Sequence, residues 1–323
     1  MKAITFKKFG GPEVLEIQDI EIGKPGPKEV LVKNLAIGLN FIDTYHRTGL
    51  YPVPIPSGIG LEACGEIEEI GSEVSLFKVG DRVTHASMPI GAYSEKQIMP
   101  ENKLVLVPDG ISNEIAACIT LKGMTAEYLL HRAYPVKKGD KVLYHAAAGG
   151  LGQILCPWAN ALGAEVIGTV GSKEKEEIAK MNGCHHVINY TDKNFVEEVE
   201  KIVGKNGIDV VYDGVGLKTF EGSIEVLKIR GMLVSFGNAS GPVETLDVKN
   251  HISIKGIYFT RPSVAHYTLK REELEESAKK VFEAILNGKF KVEISKKYSL
   301  DEAQKAHEDL EARKLTGPAV ILP

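Results

Sequence analysis

The 323-residue sequence has little cysteine, a single tryptophan, only 7% aromatic residues and no long apolar run. Each scarcity excludes something. The four cysteines, Cys64, Cys118, Cys156 and Cys184, stand far apart with no C-x-x-C pair, which rules out a disulfide framework and a spaced-cysteine zinc site. They read as small apolar side chains in a reducing compartment. No segment reaches the apolar length of a transmembrane helix, and Met1-Lys2-Ala3-Ile4-Thr5-Phe6 lacks the apolar core of a signal peptide. A cytoplasmic protein with no membrane partner is expected. A basic excess is lacking too: the formal net charge is -4 and the sequence pI is near 6.2, which leaves no electrostatic footprint for nucleic acid. There is no internal repeat and no low-complexity tract. What remains is an ordinary globular composition in a chain long enough for two domains.

The most informative stretch present is Val142-Leu143-Tyr144-His145-Ala146-Ala147-Ala148-Gly149-Gly150-Leu151-Gly152. An apolar run of strand type enters a glycine cluster, and a helix-type pattern (Ile154, Leu155, Trp158, Leu162) leaves it and closes at Gly163. That is the order of a dinucleotide-binding fingerprint, with Ala147, Gly149 and Gly152 at its three small-residue positions. Turn glycines let the backbone approach a pyrophosphate, and the first helical turn supplies free N–H donors. Pro157 falls inside this helix, where a missing hydrogen bond and a clash with the carbonyl four residues back predict a kink.

Strand and helix then alternate regularly. Glu165–Thr169, His186–Asn189, Ile208–Tyr212 and Gly231–Phe236 read as strands, separated by helix-type segments Lys173–Met181, Phe195–Val203 and Phe220–Ile229. With a sixth strand at His251–Tyr258 they describe a doubly wound parallel sheet. Upstream, Ala3–Phe6, Val14–Ile17, Glu29–Leu35, Gly65–Gly71, a strand after Val79–Val83 and Leu104–Pro108 are short strand-type runs between turn clusters, the pattern of a partly closed barrel. From Ser112 to Tyr134 the pattern is helical, with Gly123-Met124-Thr125 as a break between two helices. The last part carries a helix Arg271–Leu286, a strand Lys291–Ile294, a helix Leu300–Glu311 and a strand Ala319–Leu322, too few pieces for a domain of their own. They are expected to return to the first domain, giving 1–124 with 265–323 as one domain and 125–264 as the nucleotide-binding one.

Between the early strands lies Asn40-Phe41-Ile42-Asp43-Thr44-Tyr45-His46-Arg47-Thr48-Gly49-Leu50-Tyr51, followed by Pro52, Pro54 and Pro56. It could line a pocket, but spacing alone favours a short helix ending at Gly49 with ordinary surface polar groups. At the end of the second strand of an NAD-binding unit, roughly 20 residues past the glycines, an acid holds the ribose 2′-hydroxyl. Here that place reads Thr169-Val170-Gly171-Ser172-Lys173, with Lys175 behind it. A carboxylate would repel a 2′-phosphate whereas a hydroxyl and lysines attract one, so NADPH is favoured over NADH.

Taken together, Gly10-Gly11-Pro12-Glu13-Val14-Leu15, Asn40-Phe41-Ile42-Asp43, the glycine stretch, Tyr212-Asp213-Gly214-Val215-Gly216 and Thr260-Arg261-Pro262-Ser263 resemble the medium-chain dehydrogenase/reductases. Among these, the chain is similar to the zinc-free NADPH:quinone oxidoreductases related to zeta-crystallin, and looks closest to bacterial ones. The resemblance implies an α/β chain: a GroES-like catalytic domain with a partly closed barrel, plus a doubly wound Rossmann domain. Zinc alcohol dehydrogenases of the superfamily place a catalytic cysteine where this chain has Asn40, and Gly-His-Glu where it has Gly60-Leu61-Glu62. Their structural zinc lobe is replaced by Ser87–Tyr93. No metal is therefore expected, and without a Lewis acid the substrate should be a conjugated acceptor, a quinone or an α,β-unsaturated carbonyl.

By the same resemblance Asn40, Phe41, Asp43, Thr44 and Tyr45 lie beside the nicotinamide, with Thr125 and Tyr128 across an interdomain cleft. Gly149, Gly150 and Leu151 face the pyrophosphate, and Gly171, Ser172, Lys175 and Tyr190 the 2′-phosphate. Phe236, Gly237 and Asn238 flank the nicotinamide side, Gly214 and Ala239 also belong to the cofactor site, and Arg261-Pro262-Ser263 approach from the crossover. No acid or base is compelled; Tyr45, Tyr51 and His46 are candidate proton sources, as is water. Whether electrons leave as a hydride or singly stays open. The expected activity is NADPH-dependent quinone reduction, the alternatives being an enoyl or alkenone reductase and a cofactor-binding protein with little turnover. The sixth strand, as an unpaired sheet edge over residues 251–258, suggests a homodimer.

Overall fold

The computed structural model describes residues 1–323, which divide into two compact units. Unit 1 comprises Met1–Met124, Thr268–Leu286 and Val292–Pro323; unit 2 comprises Thr125–Tyr267 and Asn287–Lys291.

In unit 1 the strands are Lys2–Phe6 (β1), Glu16–Asp19 (β2), Glu29–Gly38 (β3), Ser57–Gly58 (β4), Glu62–Ile70 (β5), Arg82–Ala86 (β6), Lys96–Pro100 (β7) and Val105–Leu106 (β8). A three-stranded sheet has the order β2-β1-β4, all antiparallel. A larger sheet is built on the ten-residue β3, which pairs antiparallel with both β5 and β7 and carries two register shifts against β5. Bulges of this kind bend a strand, and the bend lets one sheet wrap a core of Val30, Val32, Ile67, Val83, Met99 and Leu104. Helix Phe41–Thr48 (α1) begins directly after β3, and helix Asn113–Tyr128 (α2) leads out of the unit. Gly123 does not break α2. A Cβ there would lie 2.4 Å from Val281 Cγ1, so the glycine serves the close approach of another helix.

Unit 2 holds strands Lys141–His145 (β9), Glu165–Val170 (β10), His186–Asn189 (β11), Ile208–Asp213 (β12), Leu227–Ser235 (β13) and Tyr258–Thr260 (β14). Their order, β11-β10-β9-β12-β13-β14, is entirely parallel, and the order reverses between β9 and β12. That is the doubly wound arrangement, whose ligand crevice opens at the carboxyl ends of the strands at the reversal point. Helices Gly152–Ala161 (α3), Lys173–Met181 (α4), Phe195–Val203 (α5) and Phe220–Val226 (α6) make the crossovers, and α3 runs as one element through Pro157. The core contains Leu143, Ile167, Ile188, Val211, Leu227 and Leu233.

Two expectations for unit 2 are corrected. Residues 251–257 are not a strand. The Asp247 carboxylate accepts from the N–H groups of Lys249 (2.9 Å) and Asn250 (3.1 Å), which starts a helical turn over Val248–Ser253, and Gly256 turns the chain at φ 58°. The edge strand is therefore β14, three residues long. The segment 227–229 joins β13 instead of lengthening α6, with Arg230 at φ 60° marking the irregularity.

A short helix Val264–Tyr267 (α7) follows, then helix Arg271–Leu286 (α8) in unit 1. The next strand is Lys296–Ser299 (β15), not Lys291–Ile294; it is fixed by parallel pairing with Ala319–Leu322 (β16) rather than by apolar content. Between them lies helix Ala303–Glu311 (α9), and β16 also pairs with β3, which makes the C-terminal segment part of unit 1.

Candidate active site

In unit 1 the candidate residues gather around α1. Its start is specified by a reciprocal Asn40–Asp43 pair: the Asn40 N–H donates to Asp43 Oδ2 (3.0 Å) and the Asp43 N–H donates to the Asn40 backbone carbonyl (3.1 Å). Gly49 at φ 80° ends it. The expected helix is there, but of its polar groups only Thr48 is at the surface, with Tyr45 half-buried. Asp43, Thr44, His46 and Arg47 are buried.

Buried polar groups need partners, and here they form a directed chain. Arg47 can only donate, so His307 Nδ1 is the acceptor of the 2.9 Å contact. Burial, aided by the Arg47 charge, lowers the His307 pKa to about 3, so its ring is neutral and its proton is on Nε2. Nε2–H then donates to the Tyr93 hydroxyl (3.2 Å), which donates to Asp43 Oδ2 (3.0 Å). Asp43 Oδ1 has no protein partner. Desolvation pushes the Asp43 carboxyl up to about 7, although the bonds from Asn40 and Tyr93 oppose the rise. Arg47 also donates to Glu311 Oε1 (2.7 Å) and, through Nε, to Gly10 O (3.0 Å). The Gly10-Gly11-Pro12 motif is thus the surface on which α1 seats.

Asn40 belongs to a second cluster. Its Nδ2 donates to Glu62 Oε2 (2.8 Å) and Gly38 O (3.3 Å), and its Oδ1 accepts from Lys122 Nζ (2.6 Å). Glu62 is fully buried; burial raises its pKa, while Lys122, 3.7 Å away, and the bonds from Asn40 and the Leu121 N–H oppose the rise. Phe41, Tyr45 and Tyr51 form an aromatic row beside these groups, with ring centroids 6.4 Å and 5.3 Å apart. His46 is buried near Tyr51, and burial lowers its pKa.

In unit 2 the glycine turn sits at the end of β9. Ala146, at φ 64°, turns the chain through the left-handed region, and the Ala147 N–H donates to Thr169 O (3.0 Å) on the neighbouring strand. A Cβ on Gly152 would lie 2.1 Å from Ala147 O, so only glycine lets α3 start there. At the end of β10, Ser172 caps α4 by accepting the Lys175 N–H (3.4 Å). Tyr190 lies against Gly171, where a Cβ would be 2.6 Å from the hydroxyl. These four residues are therefore brought together. At the end of β12, Gly214 lies under the Phe236 ring and against Gly237, and the Ala239 N–H donates to Gly214 O (3.3 Å). Arg261 donates to Ser235 O (2.9 Å), and Tyr128 stacks on Tyr267 with centroids 4.6 Å apart. Thr125 lies one turn before Tyr128 on α2, Asn238 between Gly237 and Ala239, and Pro262 and Ser263 directly before α7.

Sequence reasoning missed Lys122, Tyr93 and His307, which are distant in sequence from the motif they serve, and the buried role of Arg47 within it. It also missed the knot that fixes the strand ends in unit 2. His145 Nδ1 contacts Thr169 Oγ1 (2.9 Å) and Nε2 contacts Ser223 Oγ (3.0 Å), while Asp213 accepts from Thr219 and Ser223 hydroxyls and from two N–H groups of its own loop. Serine, histidine and aspartate meet here, but Ser223 also contacts Thr219 O and all three are buried. This is scaffolding, not a nucleophile.

Zinc does not fit. Leu61 offers no donor atom, both Asn40 amide atoms are engaged, and a lysine ammonium stands 2.6 Å from Asn40 Oδ1. A dinucleotide does fit, by the glycine turn at the reversal point and the hydroxyl-and-lysine set at the end of β10.

A barrel unit joined to a doubly wound unit, with no zinc donors, defines a zinc-free medium-chain dehydrogenase/reductase. Residues 26–138 match the family described as alcohol dehydrogenase GroES-like domain, and residues 150–283 the one described as zinc-binding dehydrogenase. The chain is 49% identical to a quinone oxidoreductase of Pseudomonas aeruginosa over 100% of its own length and 99% of the relative's. It is 43% identical to a 2-haloacrylate reductase of a Burkholderia species, over 100% and 99%. The crystal structure of the Escherichia coli quinone oxidoreductase complexed with NADPH superposes with a TM-score of 0.98, at 45% identity and full coverage of both chains. The chain belongs to the quinone oxidoreductase family.

Proposed function

We propose that this protein reduces quinones with NADPH and without a metal. The observation that carries the proposal is the pairing of an NADPH-type adenosine site with a barrel unit whose zinc-ligand positions are Asn40 and Leu61. NADPH, when bound, supplies reducing equivalents from nicotinamide C4; the chain's residues hold and orient it. Gly149, Gly150 and Leu151 receive the pyrophosphate, and Ser172, Lys175 and Tyr190 the 2′-phosphate. Phe236, Gly237 and Asn238 support the nicotinamide, and the row Phe41, Tyr45 and Tyr51 offers flat apolar faces to an aromatic acceptor. Proximity and orientation supply most of the rate. The similarity to a 2-haloacrylate reductase supports a second reading, reduction of an α,β-unsaturated carbonyl at the same site.

The test follows NADPH oxidation with 1,4-benzoquinone, a larger naphthoquinone and an alkenal. Turnover with the quinones is expected, and turnover with the alkenal alone overturns the quinone assignment. For the cofactor, Lys175→Ala should raise KM for NADPH about tenfold or more while changing KM for NADH little, since a charge-assisted phosphate contact is lost. Equal effects on both would remove Lys175 from the 2′-phosphate site. We also place the protein in the cytoplasm, supported by four buried free cysteines, and propose a two-fold homodimer through the 251–258 region and the β14 edge.

A further inference from the structure

We propose that Lys122 is a catalytic residue of the reduction, and that Asn40 and Glu62 serve to hold its ammonium in place. The proposal rests on the quinone-reductase reading above and concerns a residue that no sequence motif marks.

Asn40 cannot offer its amide to a substrate without breaking a bond, since Nδ2 is given to Glu62 and Gly38 and Oδ1 is taken by Lys122. Lys122 is differently placed. Its ammonium has three N–H groups. One goes to Asn40 Oδ1 at 2.6 Å and one to Leu39 O at 3.2 Å, and Glu62 Oε2 forms a longer ion pair with the ammonium at 3.7 Å. The side chain keeps 13% exposure where Glu62 has none. The cluster therefore has a buried negative side and an accessible positive one.

The chain is built to accept this cost. A Cβ on Gly38 would fall 2.2 Å from Ala117 O and 2.3 Å from Glu62 Oε2, so the glycine is what lets β3, α2 and the Glu62 carboxylate meet. A buried carboxylate on this scale is costly unless paired, and a hydrophobic pair would pack there more cheaply. Retaining Glu62 makes sense if the ammonium is needed.

In the reduction the acceptor takes two electrons and one proton, a hydride equivalent, from NADPH and becomes a monoanion, and a second proton, from water, completes the hydroquinone as NADP⁺ leaves. Lys122 remains protonated and donates a hydrogen bond to the acceptor oxygen as that negative charge develops. It supplies the electrostatic stabilisation that a metal supplies in zinc relatives.

Lys122→Met alone leaves Glu62 buried and unpaired, which threatens folding. The decisive variant is Glu62→Gln/Lys122→Met. With both charges gone the Asn40 amide can turn over, Oδ1 accepting from the new amide group, so that no buried charge is left unpaired. The expected result is a thermal midpoint close to wild type, an NADPH dissociation constant within about twofold by fluorescence, and kcat lower by about tenfold or more. A folded double variant that binds NADPH and turns over within about threefold of wild type overturns the proposal. A wild-type protein active only on an alkenal overturns the quinone reading instead, and the comparison is then made on the alkenal. Inactivity of wild type on both acceptors overturns both.

Discussion

Asp43 shows how much a single buried carboxyl imposes on a fold. Its pKa is raised from 3.8 to about 7, chiefly by desolvation. Between these values the folded chain holds a proton that the unfolded chain has released, so this group's contribution to stability falls as pH rises from about 4 to 7 and is level above that. At full effect the loss is on the order of 4 kcal/mol. His307, lowered to about 3, and His85, lowered to about 4 by burial, have the opposite sign: their contribution is present above 6.5 and is lost as pH falls through their folded values. Asp43→Asn can keep both bonds to Oδ2 with its carbonyl and removes only the first trend. The thermal midpoint of the variant, relative to wild type, should therefore be more favourable at pH 8 than at pH 5. Parallel pH profiles for the two proteins would show that Asp43 is ionised in the fold at all these values.

At the scale of elements, Gly123 sets two effects against each other. In a helix interior Gly→Ala gains about 1 kcal/mol from propensity. Here the new methyl meets Val281 Cγ1 at 2.4 Å and Cγ2 at 3.1 Å, and valine is stiff at χ1, so overpacking costs about 1–3 kcal/mol. Gly123→Ala should lower the thermal midpoint, and adding Val281→Ala should restore it; a stabilised single variant would mean that α2 and α8 have room to part. The same residue explains what the sequence could and could not convey. Local chemistry was legible: the β9–glycine–α3 unit, the alternation that follows, and a short helix ending at Gly49 all follow from spacing and turn residues. Whatever depends on a distant partner was not. Gly123 looks like a break until α8 is beside it, β15 has no apolar pattern because β16 fixes it, and the Asp247 cap overrides an alternating, strand-like pattern at 251–257. The site divides the same way. Asn40, Asp43, Ser172 and Lys175 stand in readable motifs, whereas Lys122, Tyr93 and His307 join them from 82, 50 and 264 positions away respectively along the chain.

For the whole molecule, the sheet of unit 2 ends in β14, which pairs on one side only with β13. Around it Val248, Ile254 and Tyr258 are 63%, 72% and 59% exposed. An open edge beside exposed apolar side chains is a surface that proteins either guard with charge or use. The charges beside it are largely engaged: Asp247 accepts from the Lys249 and Asn250 N–H groups, Glu221 pairs with His251, and Lys255 is turned inward onto the Leu227 and Ile224 carbonyls. Two copies related by a two-fold axis would pair their β14 strands antiparallel and run one sheet across both subunits, each burying the other's Tyr258. Light scattering at micromolar concentration should then give twice the 35.2 kDa of one chain. Tyr258→Lys places two like charges at the centre of that contact and should yield monomers, with a thermal midpoint that no longer depends on protein concentration. Wild-type protein that scatters as a monomer overturns the dimer, and a Tyr258→Lys variant that stays dimeric moves the interface away from this edge.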